Sequence, residues 1–386
     1  MVRVACIQFK SSKLVNPVLE KSDNLNKAIS LIRMSTLNGS NIVVLHELPE
    51  FRYFCQKEDP SFFAYSVEPR KNSFDLISGA AKKFGVVIPF SFFENDDNCY
   101  FNSVVVFDAD GENLGIYRKS HIPCGPGYQE KYFFRPGNTG FKVFKTRFGN
   151  IGIGICWDQW FPEQSRILTL KNADLLVFPT AIGNEPHDPS INSLPHWRRT
   201  IKGNAAANII PIAVANRIGK EDKITFFGNS FICDQYGKVV AKSSVSEDII
   251  YADFDFDSIK RIRANWGLIR DRRPDLYREL TSSFCKKANL RVIAEFEEHK
   301  CCHILWPVDR HNWKNDCEDA RRGYGDVVMA ISKYGGEVVK IWANPKDFND
   351  VKWLYDSYEN VEVHKINYDS GWSRDTCNFL LELIFF

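Results

Sequence analysis

The chain predicts a layered α/β architecture, with helices outside a core of sheet, and three observations predict it. Apolar periodicity switches repeatedly between the helical and the strand repeat from the amino terminus to about residue 280. Short runs rich in Val, Ile and Phe are bounded by Gly, Pro, Asn or Asp at most of their ends. The composition, 44% hydrophobic and 25% charged over 386 residues, allows a large core and more than one domain.

The elements follow in order. Residues 2–9 alternate like a first strand, and an amphipathic helix follows from about residue 22 to residue 37, with Leu25, Ala28, Ile29 and Ile32 on one face and Gly39 past its end. Residues 41–45 predict the strand that leads to Glu47. A second helix, residues 74–84, runs through Gly85 into the strand 86–90. Residues 101–107 supply another strand before the turn 108–111, and 114–117 a further short one. A hairpin is predicted over 141–146 and 151–155, then a helix after Pro162, a buried strand over 175–178, a helix over 193–208 and a strand over 210–215. Strands over 227–234, 238–241 and 249–254 complete the series.

Several function classes are excluded early. A net charge of +2 with no long basic run gives no footprint for nucleic acid or an anionic membrane. Eleven cysteines at irregular spacing, none in Cys-x-x-Cys, suggest reduced thiols rather than a disulfide framework or a thiolate metal site. Arg3 and Gln8 interrupt the amino-terminal strand, so it lacks the apolar core of a signal peptide, and no segment approaches a membrane span. A cytosolic enzyme without cofactor or metal is the expectation.

The chemistry concentrates at strand ends. Cys156 closes the apolar run Gly152-Ile153-Gly154-Ile155-Cys156-Trp157-Asp158, which places a thiol beside a turn at the edge of a sheet. Glu47 follows one apolar strand and Lys119 another, the latter in Tyr117-Arg118-Lys119-Ser120-His121-Ile122-Pro123. Taken singly, a Glu or Lys is by default a solvated surface charge. Together with Cys156 they make a nucleophile, a base and an electrophile.

On these residues the chain resembles the nitrilase, or carbon–nitrogen hydrolase, superfamily over about residues 1–280, with Glu47, Lys119 and Cys156 matching its Glu-Lys-Cys triad. Longer stretches resemble the N-carbamoylputrescine amidase branch, among them Gly125-Pro126-Gly127-Tyr128-Gln129-Glu130-Lys131, Ile155-Cys156-Trp157-Asp158-Gln159-Trp160-Phe161-Pro162-Glu163 and Ala215-Asn216-Arg217-Ile218-Gly219. His46, Pro49 and Cys124 depart from that branch. The resemblance implies an αββα sandwich and pairing into homo-oligomers. It further implies a thiol amidohydrolase that converts N-carbamoylputrescine to putrescine, carbon dioxide and ammonia through a Cys156 thioester. Lys119 and the Trp157 N–H would hold the oxyanion, and Glu130 would orient lysine and substrate. A related amidase acting on a ureido acid or an ω-amide is the alternative, and a lapsed scaffold a third.

Substrate recognition is read from the residues alone. A cationic tail needs a carboxylate or aromatic partner, and Glu185, with Asp188 as alternative and Tyr53 and Trp157 as walls, is the expected set. Each is equally an ordinary loop residue by position.

The last hundred residues follow a different pattern. After a linker over 281–291, the stretches Ala294-Glu295-Phe296-Glu297-Glu298-His299, His303-Ile304-Leu305-Trp306-Pro307 and Ser370-Gly371-Trp372-Ser373-Arg374-Asp375 resemble the opening quarter of the agmatine deiminases. Residues 292–386 are accordingly expected to form an incomplete α/β pentein-like repeat without deiminase activity of its own. Asp375 matches the aspartate that contacts the guanidinium in that family. Cys301, Cys302, His299 and His303 alternate along one strand, which argues against a shared metal.

Overall fold

The computed structural model describes residues 1–66, 73–281, 301–308 and 317–367, and the chain divides into two compact units, Met1–Tyr277 and Arg278–Phe386. The first unit opens with β1 (Val2–Gln8), α1 (Pro17–Leu37), β2 (Ile42–Val44), α2 (Ser73–Phe84), β3 (Ile88–Asp96), β4 (Cys99–Phe107), β5 (Asn113–Arg118) and the short α3 (Glu130–Phe133). It continues through β6 (Val143–Thr146), β7 (Gly149–Ile153), α4 (Pro162–Leu170), β8 (Leu175–Thr180), α5 (Ser193–Asn208) and β9 (Ile212–Asn216). The hairpin β10 (Ile218–Glu221) and β11 (Ile224–Phe227) precedes β12 (Phe231–Cys233), β13 (Val239–Lys242), β14 (Asp248–Phe254) and α6 (Phe256–Trp266).

Strand pairing builds two sheets. One runs β13-β12-β9-β8-β7-β6. The other joins β14-β1-β2 to β3-β4-β5 through the parallel bridge of Ile42 with Val87. Alternation along β8 shows how sequence sets the layers: Leu175 and Val177 enter the core between the sheets with Val4, Val44, Val104 and Ala213, while Leu176 and Phe178 face Trp197 and Ile201 of α5. On the other sheet, Val43, Ile88 and Val105 face Leu25, Ala28 and Ile32 of α1 and Ile77 of α2. The result is the four-layer αββα sandwich of the nitrilase type. The inner strands, such as β8 and β9, are apolar on both faces because they are covered on both faces, whereas edge strands such as β13 keep one face partly exposed.

Several boundaries differ from expectation for identifiable reasons. α1 begins at Pro17, not near residue 22, because the Asn16 side chain caps the N–H groups of Val18 and Leu19 and proline fits the first turn. β2 stops at Val44, so Glu47 lies three residues beyond the strand. β7 ends at Ile153, so Cys156 lies on a 3-10 turn, not at a strand end. Residues 227–234 do not form one strand: Phe227 closes a hairpin, and Gly228 and Asn229, both with positive φ, separate it from β12.

The second unit contains β15 (Cys301–Leu305), α7 (Glu318–Met329), β16 (Val338–Ala343), α8 (Phe348–Tyr355) and β17 (Val361–Lys365) among its described residues. The three strands are parallel in the order β15-β16-β17. Ile304, Trp306, Val339 and Ile341 pack against Val328 of α7 and Val351 and Tyr355 of α8. Strand alternation sets Cys301 beside His303 (3.4 Å) and turns Cys302 to Glu337 (3.4 Å). His299 and Asp375 lie outside the described residues, as does most of the stretch read as a linker. Among the described residues no helix is long and apolar enough to cross a membrane.

Candidate active site

The turn after β2 is held from several sides. The Glu47 N–H donates to Thr180 O at the end of β8 (3.4 Å). The Glu47 carbonyl accepts from His46 Nδ1 (2.9 Å) and Arg217 Nη2 (3.1 Å). Arg217 also donates to the carbonyls of Leu48 (2.7 Å) and Phe51 (3.0 Å), so one buried guanidinium fixes the backbone of this turn. Leu48 is in the left-handed region at φ +48°, with its N–H on Ser91 Oγ (3.0 Å).

Lys119 enters from the end of β5, where its N–H donates to Asn102 O (2.8 Å). Its ammonium donates to Glu47 Oε1 (2.8 Å) and Glu130 Oε2 (2.6 Å), and all three side chains are buried. Asn102 Nδ2 adds a second hydrogen bond to Glu47 Oε1 (2.7 Å), whereas Glu47 Oε2 is buried and accepts none from the described residues. Tyr53 Oη donates to Glu130 Oε1 (2.8 Å). Burial alone pushes the Lys119 ammonium down, but Glu130 and Glu47 more than offset it and hold it well above the usual lysine range. Burial pushes Glu130 up to about 7, against the pull of Lys119.

That elevated carboxyl sets a pH dependence with two signs. Both Glu130 oxygens accept hydrogen bonds, an arrangement that suits the carboxylate, so activity is expected to rise through about pH 7. A Glu130→Gln variant should lose this limb in a pH–rate profile; a limb that persists would assign it to another group. Stability runs the other way. The folded value lies above the ordinary 4.5, so Glu130's contribution is complete below that pH and is lost as pH rises through about 7.

Lys119 depends on a close backbone approach. Gly137 N–H donates to Lys119 O (2.8 Å), and a Cβ on Gly137 would lie 2.1 Å from Arg118 O. Gly137→Ala must therefore displace the end of β5. It is expected to destabilise by about 1–3 kcal/mol and to lower kcat by roughly 100-fold through misplacement of the ammonium. Unaltered kinetics with a lowered melting temperature would separate this contact from catalysis.

Cys156 opens the turn Cys156–Trp160 at φ +40°, a left-handed conformation that costs a β-carbon residue about 1–3 kcal/mol. Asp158 holds the turn. Its Oδ2 accepts from Ile155 N (2.9 Å) and Tyr117 Oη (2.7 Å), and its Oδ1 from His121 N (3.0 Å). The Cys156 thiol lies 3.8 Å from Ala181 O. Asn216 pins the next residue, Ile182, by hydrogen bonds to its N–H (2.9 Å) and its carbonyl (3.0 Å). Burial raises the thiol well above its usual range; Glu47 and Glu130 add to this and Lys119 opposes it. All three charges act on Cys156, so the expected nucleophile, base and electrophile are brought together.

Of these groups Cys156 and Glu130 line a cavity of about 700 Å3, together with Trp157, Trp160, Tyr128, Ile182, Glu185 and His196, whereas Glu47 and Lys119 are buried behind it. Glu185 lines it as expected, and burial raises its carboxyl above the usual range. Trp157 lines it with 40% exposure. Tyr53 does not form a wall: it is buried, and its hydroxyl serves Glu130. Asp188 does not reach the cavity either, because its carboxylate accepts from Ser190 N (3.0 Å) and Oγ (2.6 Å) in a local turn. Of the three departures from the branch pattern, only Cys124 lines the cavity, while His46 packs on Phe9 and Pro49 is buried. Asn102, Arg217 and Asp158 were not anticipated as parts of the site. Asn102, an amide inside an apolar strand, was the available signal.

Comparison with known proteins gives two matches along the chain. Residues 3–264 match the family described as carbon-nitrogen hydrolase, and residues 291–384 the one described as Porphyromonas-type peptidyl-arginine deiminase. An N-carbamoylputrescine amidase of Oryza sativa subsp. japonica is 48% identical over 290 residues, covering 72% of this chain and 94% of the relative. A citrullinase of Francisella tularensis is 44% identical over 292 residues, covering 73% and 99%. A carbon-nitrogen hydrolase from Helicobacter pylori, solved as a crystal structure, superposes with a TM-score of 0.68 at 35% identity, covering 74% of this chain and 99% of that one.

Proposed function

The chain belongs to the carbon–nitrogen hydrolase family and is a hydrolase of carbon–nitrogen bonds, and from that premise we propose that it releases ammonia and carbon dioxide from N-carbamoylputrescine to leave putrescine. The observation that carries the reaction is the buried Glu47 Oε2, which accepts no hydrogen bond from the described residues, in the same site as a thiol that burial raises well above its usual range and a paired ammonium. Glu47 takes the Cys156 proton as the sulfur attacks the ureido carbon. Two of the three Lys119 donors hold carboxylates, and the third, with the Trp157 N–H, receives the oxyanion. Collapse breaks the bond to the terminal nitrogen, which leaves as ammonia with the proton from Glu47. Water, deprotonated by Glu47, then opens the thioester, and the carbamic acid released loses carbon dioxide.

The choice of tail rests on the cavity wall. Glu185 supplies a carboxylate, and no Lys or Arg is among the described lining residues, whose bases are His187 and His196. A terminal ammonium is favoured there over a terminal carboxylate. Citrulline is the second reading, since a citrullinase is among the relatives and its ureido group is the same. Its α-carboxylate would need a Lys or Arg, which the described wall lacks.

The test is ammonia release from N-carbamoylputrescine, citrulline and 3-ureidopropionate in parallel. Turnover of the first alone is expected, and preference for citrulline would move the assignment to the second reading. Glu185→Gln should raise KM for N-carbamoylputrescine about tenfold or more, the scale of one charge-assisted contact, and leave a neutral alkylurea nearly unaffected. An equal rise for both would remove Glu185 from tail recognition.

A further inference from the structure

The two carboxylates of the site are joined by a closed ring of hydrogen bonds that passes through residues without contact to the cavity. Starting at Glu47, its carbonyl accepts from Arg217 Nη2 (3.1 Å), and Arg217 Nη1 donates to Glu221 Oε1 (2.8 Å). Glu221 Oε2 accepts the backbone N–H of Tyr53 (2.6 Å), and Tyr53 Oη donates to Glu130 Oε1 (2.8 Å). Lys119 Nζ closes the circuit between Glu130 Oε2 (2.6 Å) and Glu47 Oε1 (2.8 Å). Every member is buried, Glu221 included. We propose that Glu221 is a positioning residue of the active site, which sets the backbone of Tyr53 against that of Glu47 and thereby aligns Glu130 and Lys119 on the reacting groups.

The geometry leaves Glu221 little other work. It closes β10, where Glu221 pairs with Ile224 and the next residue, Asp222, has positive φ. Gln56 fastens the same hairpin to the Tyr53 segment: its Nε2 donates to Glu221 O (2.8 Å), and its Oε1 accepts from Lys223 N (3.0 Å) and Ile224 N (3.2 Å). Each Glu221 oxygen has one donor, a cation on one side and an amide on the other. A glutamine offers a single acceptor oxygen and would turn an NH2 toward one of those donors, leaving a repulsive contact in a buried place. An ion pair of this kind adds little net stability over an apolar pair, so its use lies in fixing geometry.

The readout is the pH limb of the site, because a change in fold stability alone does not move it. Glu130 is faced by Lys119 from β5, by Glu47 from the turn after β2, by Tyr53 and Cys55 from the following segment, by Tyr128 from its own loop and by Cys156 from its turn. The Tyr53 hydroxyl holds the Glu130 carboxyl down, so Tyr53→Phe is expected to move the limb upward.

The experiment measures kcat, KM and the pH profile for the full chain and its Glu221→Gln, Glu221→Asp and Tyr53→Phe variants. Cys156 alkylation by iodoacetamide is followed across the same pH range by peptide mass spectrometry. The inference rests on the amidase reading for its substrate, but the alkylation profile needs no substrate. If N-carbamoylputrescine is not turned over, the reading fails and the inference is still decided. Glu221→Gln is expected to lower kcat about 10- to 100-fold with KM within twofold, and to shift the limb in the direction that Tyr53→Phe shifts it. Glu221→Asp should recover part of both. A lowered kcat or melting temperature with both pH profiles in place would overturn the proposal. Should Glu221→Gln not fold, Glu221→Asp decides by the same criterion.

Discussion

Cys156→Ala is expected to reduce ammonia release by about five orders of magnitude or more, because the variant loses the covalent route and keeps only binding and the oxyanion donors. The fold should persist, since alanine keeps the Cβ at the same backbone conformation and the thiol makes one weak hydrogen bond among the described residues, to Ala181 O at 3.8 Å. Intact-protein mass after brief incubation with substrate should show an acyl adduct on the wild type and none on the variant. A variant retaining even a few per cent of the rate would remove Cys156 as nucleophile. Bulk thiol labelling, without the peptide-level resolution that isolates Cys156, is a poor substitute for this test. Cys156 is buried, with its thiol held above the usual range, whereas Cys124 is exposed in the same cavity and should be alkylated first.

Lys119→Met should be costly in two independent ways. It removes the cation between Glu47 and Glu130, both buried, and breaking such an arrangement costs about 3–5 kcal/mol. Without the ammonium, burial and the neighbouring Glu47 raise the Glu130 carboxyl further in the folded state. The deficit is therefore largest at high pH and shrinks as pH falls and Glu130 becomes neutral. Urea denaturation at neutral and acidic pH reads this sign directly, and adding Glu130→Gln should recover part of the stability. The same variant loses an oxyanion donor, which alone lowers kcat by roughly 100- to 1,000-fold. Full stability at neutral pH would show that the two carboxylates do not rely on Lys119.

The residues to which the proposed mechanism gives chemistry were legible because each stands just past an apolar run, where a strand must end and a side chain must meet solvent or substrate. Glu47, Lys119 and Cys156 could be read that way, and Glu130 through the stretch around it. The supporting residues could not, because their roles are set by partners far along the chain. Arg217 reads as a charge after a strand until its guanidinium is seen on the carbonyls of residues 47, 48 and 51. Tyr53 reads as an aromatic wall because nothing local shows where its hydroxyl points. Asp188 reads as a pocket carboxylate, although Asp188-Pro189-Ser190 is a local turn in which its Oδ1 already has two donors. The four-layer fold was likewise implied by resemblance, whereas periodicity could give only the alternation of helix and strand.

The hydrogen-bonded ring also bears on when in folding this molecule becomes an enzyme. Its links join residues 170 positions apart at Arg217–Glu47 and 168 apart at Tyr53–Glu221. Closing such separations is entropically expensive and belongs to the slow, late part of assembly. A nascent or partly folded chain can carry intact β1, β2 and α1 and still hold Glu47 without its frame. Full activity is therefore expected only once the chain has folded through β10, because a fragment that stops short of it lacks Glu221.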